Sequence, residues 1–155
     1  MKFKHLRSTF FLAVFFLGTS ASVNAQDYKT AAGLGIDFGL GRSLVGPSLK
    51  RFVTPRSALQ GELLLGSGVS IIQGLYQYHL PIKEVQGLKF YFGGGPGAIF
   101  VPGDAAIFLR PTSGLEYKMK APLVLHFDWR PILILDQEVL DFEPVRFGLG
   151  LKYSF

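Results

Sequence analysis

The sequence contains no cysteine, few charged residues and, after its first residues, no long apolar run. Without cysteine there can be no disulfide scaffold, no thiolate metal site and no cysteine nucleophile. Charged residues make up 17% of the chain and hydrophobic residues 48%, which is apolar for a soluble protein. The lack of a later apolar run excludes membrane-spanning helices from the body of the chain. Any insertion into a membrane must therefore use strands.

The formal net charge of +5 does not indicate a nucleic-acid partner. Lys2, Lys4 and Arg7 contribute part of this charge and lie in an N-terminal leader, and the remaining acidic and basic residues are close to balance. They form no continuous basic stretch of the kind that binds phosphates. We therefore expect no nucleic acid among the partners.

The first 25 residues have the pattern of a secretory signal peptide. Basic residues between Lys2 and Arg7 precede the apolar run 10–17, and Ala25 ends a small-residue cleavage pattern. The run is too short to span a bilayer as a helix, which disfavours the alternative of an N-terminal membrane anchor. We predict cleavage after Ala25, which leaves residues 26–155 as one mature domain.

Apolar residues alternate with polar or small residues along the mature chain. Because successive side chains of a strand point to opposite sides, each alternating stretch has one apolar face. In the last stretch that face consists of Val145, Phe147, Leu149, Leu151, Tyr153 and Phe155. Turn residues divide the chain into about eight such strands, at 31–40, 44–53, 58–65, 69–80, 88–101, 105–118, 123–133 and 144–155.

About eight alternating strands of roughly ten residues predict an all-β fold, a single antiparallel up-and-down transmembrane β-barrel. The alternative is a soluble β-sandwich whose apolar faces pack inward. Glycines and charges of both signs on the other face favour the barrel, because they suit the narrow lumen of eight strands. If the mature N-terminus lies in the periplasm and the strands run up and down, several outward aromatic residues lie at the periplasmic strand ends. They would form an interfacial girdle there, which also favours the barrel. They are Tyr78, Phe90, Tyr117, Tyr153 and Phe155.

Charged side chains on the lumen face are expected to form one buried network. They are Asp37, Glu62, Arg110, Glu116, His126, Asp128, Arg130, Arg146 and Lys152. Unpaired charges in a barrel interior are costly, so each acid should meet a base. We expect Glu62 and Glu116 to pair with Arg110, Arg146 or Lys152.

His126, Asp128 and Arg130 stand at successive steps of one face and also allow a catalytic interpretation. A histidine base oriented by a carboxylate would need a nucleophile, and no serine is placed for attack. We therefore predict a structural network and no catalytic residue. The three histidines are too scattered for a metal site, and the glycine-rich run 92–97 lacks the lysine of a phosphate loop. Close strand packing or a bulge explains the glycines better, and no cofactor is expected.

Two features near the outward strand ends leave alternatives open. Acidic residues within 136–143 are expected in a solvated loop, because their spacing is not that of a calcium loop, although they could bind a divalent cation at the lipopolysaccharide surface. Prolines interrupt predicted strands, at which the ladder should bulge near the rim or, alternatively, open sideways to admit a lipid. They are Pro47, Pro96, Pro111, Pro131 and Pro144.

The C-terminal pattern resembles the assembly signal of bacterial outer-membrane β-barrels, in which a terminal phenylalanine follows alternating hydrophobic residues. Leu151, Tyr153 and Phe155 match it. Residues 26–155 are similar to the small outer-membrane barrels of Gram-negative bacteria, such as the OmpX-like and OmpW-like groups and the barrel proteins of Bacteroidetes-type envelopes. The resemblance implies an outer-membrane location and insertion by the barrel-assembly machinery, with periplasmic chaperones, membrane lipid and lipopolysaccharide as partners. Outer-membrane lipid A deacylases carry a His-x-Ser pair, and Asp128 stands at the matching serine position here.

These features favour a non-enzymatic, monomeric integral barrel with a structural or envelope-maintenance role. The predicted connections are short, which disfavours a large adhesive surface, and a packed lumen disfavours a general diffusion pore. The alternatives are a lipid-modifying or lipid-binding barrel and a narrow ion-conducting pore.

Overall fold

The computed structural model describes residues 28–135 and 140–155. The predicted signal peptide 1–25 and the acidic residues Asp136 and Glu138 lie outside this part of the chain. The described residues form ten β-strands. They are β1 (Thr30–Gly39), β2 (Arg42–Phe52), β3 (Ser57–Gly66), β4 (Val69–Pro81), β5 (Leu88–Val101), β6 (Asp104–Lys118), β7 (Leu123–Trp129), β8 (Ile132–Leu135), β9 (Leu140–Glu143) and β10 (Phe147–Ser154). Among these residues there is no helix long and apolar enough to cross a membrane.

The strands pair antiparallel and close into a barrel. Their hydrogen-bonded order is β5-β4-β3-β2-β1-β10-β7-β6-β8-β9, and pairing of β5 with β6 joins the wall. β7 and β8 pair with β6 in one continuous register, and β9 and β10 pair with β8 and β7, so the ten strands fill eight positions. The predicted eight-stranded antiparallel barrel is confirmed. We call the end with the start of β1 and the end of β10 the terminal end, and the opposite end the distal end.

The last two positions of the barrel each consist of two short strands. Residues 130–131 separate β7 from β8, and residues 144–146 separate β9 from β10. Two residues thus face three, which is a one-residue β-bulge near the distal rim. The prolines at 131 and 144 lie within this interruption, where their missing N–H groups cost the ladder little. The prediction of a loop over 136–143 is wrong for Leu140–Glu143, which forms β9.

The barrel is polar inside and apolar outside. Leu34 and Leu151 expose 59% and 48% of their surface, whereas Arg110 and Asp128 expose 1% and 0%. The inward and outward sets follow the predicted alternation, because the side chains of a strand alternate with period two. None of the predicted girdle residues is buried, and all lie at the terminal end. They are Tyr78, Phe90, Tyr117, Tyr153 and Phe155.

Two apolar clusters fill the ends of the lumen. The terminal plug consists of Tyr28, Ala31, Phe52, Ala58 and Val124. The distal plug consists of Leu44, Leu64, Val69, Ile71, Phe108 and Ile132. Buried charges lie between the two plugs, and Arg146 extends this set to the distal rim. A lumen of eight strands is narrow enough for side chains to fill it in this way.

Glycines make room for large side chains and for close strand contact. A Cβ at Gly148 would collide with the guanidinium of Arg130, and a Cβ at Gly150 would collide with the imidazole of His126. At Gly93, a Cβ would instead collide with a backbone carbonyl of the neighbouring β4. The glycine-rich run on β5 therefore permits close strand packing, which is one of the two predicted explanations, the other being a bulge.

Candidate functional site

The structure buries every residue of the predicted lumen network. They are Asp37, Glu62, Arg110, Glu116, His126, Asp128, Arg130, Arg146 and Lys152. Burial of a charge is unfavourable unless an opposite charge or a set of hydrogen bonds compensates it. The contacts inside the barrel therefore decide what this site can do.

Asp37 binds two arginines next to the distal plug. Arg110 Nη1 donates to Asp37 Oδ2 at 2.5 Å. Arg146 donates to Asp37 Oδ1 from Nε at 2.8 Å and also from Nη2. Arg110 Nη1 makes a further hydrogen bond of 2.8 Å to Gln73 Oε1. One carboxylate thus compensates two buried guanidinium groups.

Glu62 accepts four hydrogen bonds and connects the parts of the network. Its Oε1 accepts from Ser48 Oγ at 3.0 Å and from Gln60 Nε2 at 2.7 Å. Its Oε2 accepts from Gln73 Nε2 at 2.5 Å and from Arg130 Nη1 at 2.8 Å. Both oxygens have two donors each, so the buried carboxylate is fully satisfied.

Arg130 binds Asp128 with two parallel hydrogen bonds. Nε donates to Oδ1 at 2.5 Å and Nη2 donates to Oδ2 at 2.8 Å, the bidentate geometry that makes arginine–carboxylate pairs strong. Asp128 Oδ2 also accepts from the Tyr91 hydroxyl. Through Glu62, the contacts run without a break from Arg146 at the distal end to Tyr91.

A second cluster lies beside the terminal plug. Lys50 Nζ donates to Glu116 Oε2 and lies 2.8 Å from His79 Nε2. The Tyr28 hydroxyl donates to Glu116 Oε1 at 2.8 Å, which ties the cluster to the plug itself. His79 stacks on the ring of Tyr91 with 5.1 Å between ring centroids. Tyr91 therefore joins this cluster to the larger one.

His126 has a lysine, rather than a nucleophile, as its hydrogen-bonding partner. Its Nδ1 lies 3.0 Å from Lys152 Nζ, and its Nε2 lies 4.0 Å from Asp128 Oδ2. Within residues 28–135 and 140–155, no serine or threonine hydroxyl is hydrogen-bonded to this ring. The same residues contain no group of acids and histidines that could hold a metal ion.

The pairing of acids and bases differs from the prediction. Glu62 pairs with Arg130, and Glu116 pairs with Lys50. The predicted partners of the two glutamates, Arg110, Arg146 and Lys152, are wrong. Arg110 and Arg146 bind Asp37, and Lys152 contacts His126. The tilt and stagger of the strands decide which side chains meet across the lumen. Neither can be predicted from the alternation of residues along a single strand.

The predicted set also omits residues that complete the network. Lys50 pairs with Glu116, and the neutral residues Gln73 and Tyr91 bridge the charged ones. All three have inward parity on their strands. Parity along the strand is the signal that finds all three: Lys50 has the inward parity of the other charged residues, and Gln73 and Tyr91 are found when the neutral polar residues are included.

The fold is similar to those of solved bacterial barrels. The N-terminal β-barrel domain of Pseudomonas aeruginosa OprF aligns with a TM-score of 0.65 and 17% sequence identity, over 85% of this chain and 100% of that chain. Neisserial surface protein A aligns with a TM-score of 0.45 and 16% identity, over 83% of this chain and 96% of that chain. No protein-family model matches the sequence, and no curated protein matches it. The similarity to the OprF domain establishes the barrel fold, and membership of an OmpX-like, OmpW-like or Bacteroidetes-type group stays a prediction.

Proposed function

We propose that the chain is an integral outer-membrane barrel of a Gram-negative envelope, monomeric and non-enzymatic, with a structural or envelope-maintenance role. The observation that carries the proposal is the inverted distribution of polarity: the charges are buried and large apolar side chains face outward around the barrel. In water, such an exterior would associate with other surfaces. In a bilayer, lipid covers it, and the ladder closes through the pairing of β1 with β10, so that among the described strands β9 alone, near the distal rim, keeps an unpaired edge.

The terminal end carries features that support an orientation and an assembly route. The outward side chains of Leu151, Tyr153 and Phe155 are exposed there. Thr30 and Phe155 exchange two backbone hydrogen bonds of 3.2 Å and 2.9 Å, so the last residue is part of the wall. We place this end in the periplasm and assign these side chains to the barrel-assembly machinery as its recognition site.

The interior supports a structural role over catalysis. Glu62 and Asp128 are each compensated by an arginine and by further donors, and His126 lies against Lys152. A base catalyst needs a free nucleophile and access for a substrate. The two apolar plugs close the lumen to a substrate, and the hydrogen-bonding partner of His126 is a lysine and not a nucleophile. The network is instead suited to hold the eight strands in one register.

The first test compares charged substitutions at two depths of the outer face. Leu34 lies in the middle of β1, and Leu80 lies near the terminal end of β4. In a membrane barrel, Leu34→Arg should destabilise the fold by about 2–4 kcal/mol and Leu80→Arg by about 0–1 kcal/mol. The measurement is urea unfolding in lipid vesicles, with band mobility of unheated against boiled samples as a check of folding. Equal and small effects at both sites would contradict a membrane-facing exterior.

The second test concerns ion conduction. Because Phe52 of the terminal plug and Phe108 of the distal plug fill the lumen, the purified barrel should show no discrete conductance steps in planar bilayers. The matched variant is Phe52→Ala with Phe108→Ala, which opens both plugs and leaves the ion pairs in place. Regular steps from the unmodified protein would favour the narrow-pore alternative instead.

A further inference from the structure

A small cavity opens at the distal end, between the β1–β2 turn and β9. Its volume is about 130 Å³. The floor is apolar, because Leu44, Ile71 and Ile132 of the distal plug line it. The rim carries three charged side chains, the cations Arg42 and Arg146 and the carboxylate Glu143. An apolar floor below a charged rim is the arrangement that binds an amphiphilic molecule with its tail inward.

β9 leaves this cavity accessible from the distal side. Leu140–Glu143 pairs with β8 along one edge, and no described strand pairs with its other edge. β1 ends at Gly39, so it does not extend far enough toward the distal end to stand beside β9. In the turn, Leu40 is held in the left-handed region with φ 45° and presents a side chain that is 66% exposed. Leu40 and Gly41 form the two-residue turn between the paired residues Gly39 and Arg42, and such a hairpin turn requires positive φ at both positions.

Among the residues that the structure describes, the rim has one positive charge without an ion pair. Arg146 is fully engaged: it binds Asp37, donates to the Gly39 carbonyl at 3.2 Å and lies 3.7 Å from Glu143. Arg42 is exposed, and no acid in residues 28–135 or 140–155 forms an ion pair with it. A guanidinium group without a carboxylate partner is suited to bind a carboxylate ligand.

We propose that this cavity binds a small amphiphilic carboxylate, with a short hydrocarbon tail on Leu44, Ile71 and Ile132 and the carboxylate on Arg42. The volume decides the length of the tail. Pockets for drug-sized ligands have volumes of about 300–1,000 Å³. A cavity of about 130 Å³ holds a tail of a few carbons and excludes a whole lipid.

The test uses the whole barrel in lipid nanodiscs, with sodium hexanoate as the probe and 1-hexanol as its neutral counterpart. Titration calorimetry measures binding, and empty nanodiscs correct for partition into lipid. Arg42→Gln should weaken hexanoate binding about ten-fold, because a hydrogen bond to a charged group is lost, and should leave hexanol unchanged. Arg51→Gln is the matched control, because Arg51 is exposed at the opposite end of β2 and should change neither affinity.

The position of the tail is tested separately with crystals grown in 6-bromohexanoate. The proposal requires an anomalous bromine peak in contact with Ile71 or Ile132. Bromine found only on the lipid-facing exterior would overturn it, as would equal losses of hexanoate affinity in the Arg42 and Arg51 variants. Absence of hexanoate binding to the folded barrel would also overturn it, whereas the membrane location tested with Leu34 would be unaffected.

Discussion

Replacement of Asp37 by asparagine is expected to destabilise the barrel by about 3–5 kcal/mol. The side chain keeps its size, so the change removes one negative charge and little else. Arg110 and Arg146 both use this carboxylate and are buried beside it. Two guanidinium groups would then remain in the lumen without the acid that compensates them. An uncompensated buried charge is far more costly than a lost surface ion pair.

The measurement is urea unfolding in detergent micelles, followed through the fluorescence of Trp129, the one tryptophan of the chain. The matched control is Asp141→Asn on β9, where the acid is exposed, and the expected change is below about 1 kcal/mol. A double variant, Asp37→Asn with Arg110→Met, removes one of the stranded charges and should recover part of the loss. If Asp37→Asn unfolds like the control, Asp37 does not hold the two arginines in the way described.

Alanine at Gly93 is expected to destabilise the barrel by about 3 kcal/mol, although it adds a single methyl group. The new Cβ would meet the backbone carbonyl of Tyr76 on the paired strand β4. Backbone atoms cannot rotate aside as a side chain does, so β4 and β5 must separate at this point. Separation breaks the ladder on both sides of Gly93, where the run of glycines lets the strands approach closely.

Gly74 provides the matched control within the same pair of strands. An alanine Cβ there meets no atom within 4 Å, so Gly74→Ala should be neutral or slightly stabilising through the unfolded chain. The yield of the compact form in unheated samples and the urea midpoint both report the difference. Equal behaviour of the two alanine variants would show that the approach of β5 to β4 is not the constraint at Gly93.

The fold was predictable because alternation with period two assigns both strand and face. The pattern was weakest on β2, and the structure explains why. Leu44 and Phe52 point inward at the two ends of β2, where they belong to the distal and terminal plugs. An inward apolar residue at a strand end makes the lumen face less polar than the alternation pattern requires. The strand ends that contribute to the plugs are therefore harder to assign from sequence. The structure starts β2 at Arg42, two residues before the predicted boundary.

The membership of the lumen network was predictable for the same reason, and its pairings were not. Parity places Glu62 and Arg130 inside the barrel, yet they lie on different sides of it and meet only across the lumen. That meeting depends on the tilt of the strands, which arises from closure of the whole sheet. β9 escaped prediction for a different reason: Asp141 and Glu143 read as a solvated loop, although they alternate with Leu140 and Phe142 as a strand at the rim does.

The barrel is complete only when β1 pairs with β10. Ala31 pairs with Ser154 and Phe38 with Phe147, so the wall closes between the first and the last strands of the described chain. This pairing joins residues that are farther apart in the sequence than those of any other pairing in the described chain. The entropy cost of closing so long a loop is offset only when β10 forms its hydrogen bonds with β1. Until then, β1 and β7 both present bare edges that can pair with any passing strand. Loss of β10 should therefore yield an aggregation-prone chain and not a smaller barrel, because β1 and β7 would each keep an unpaired edge.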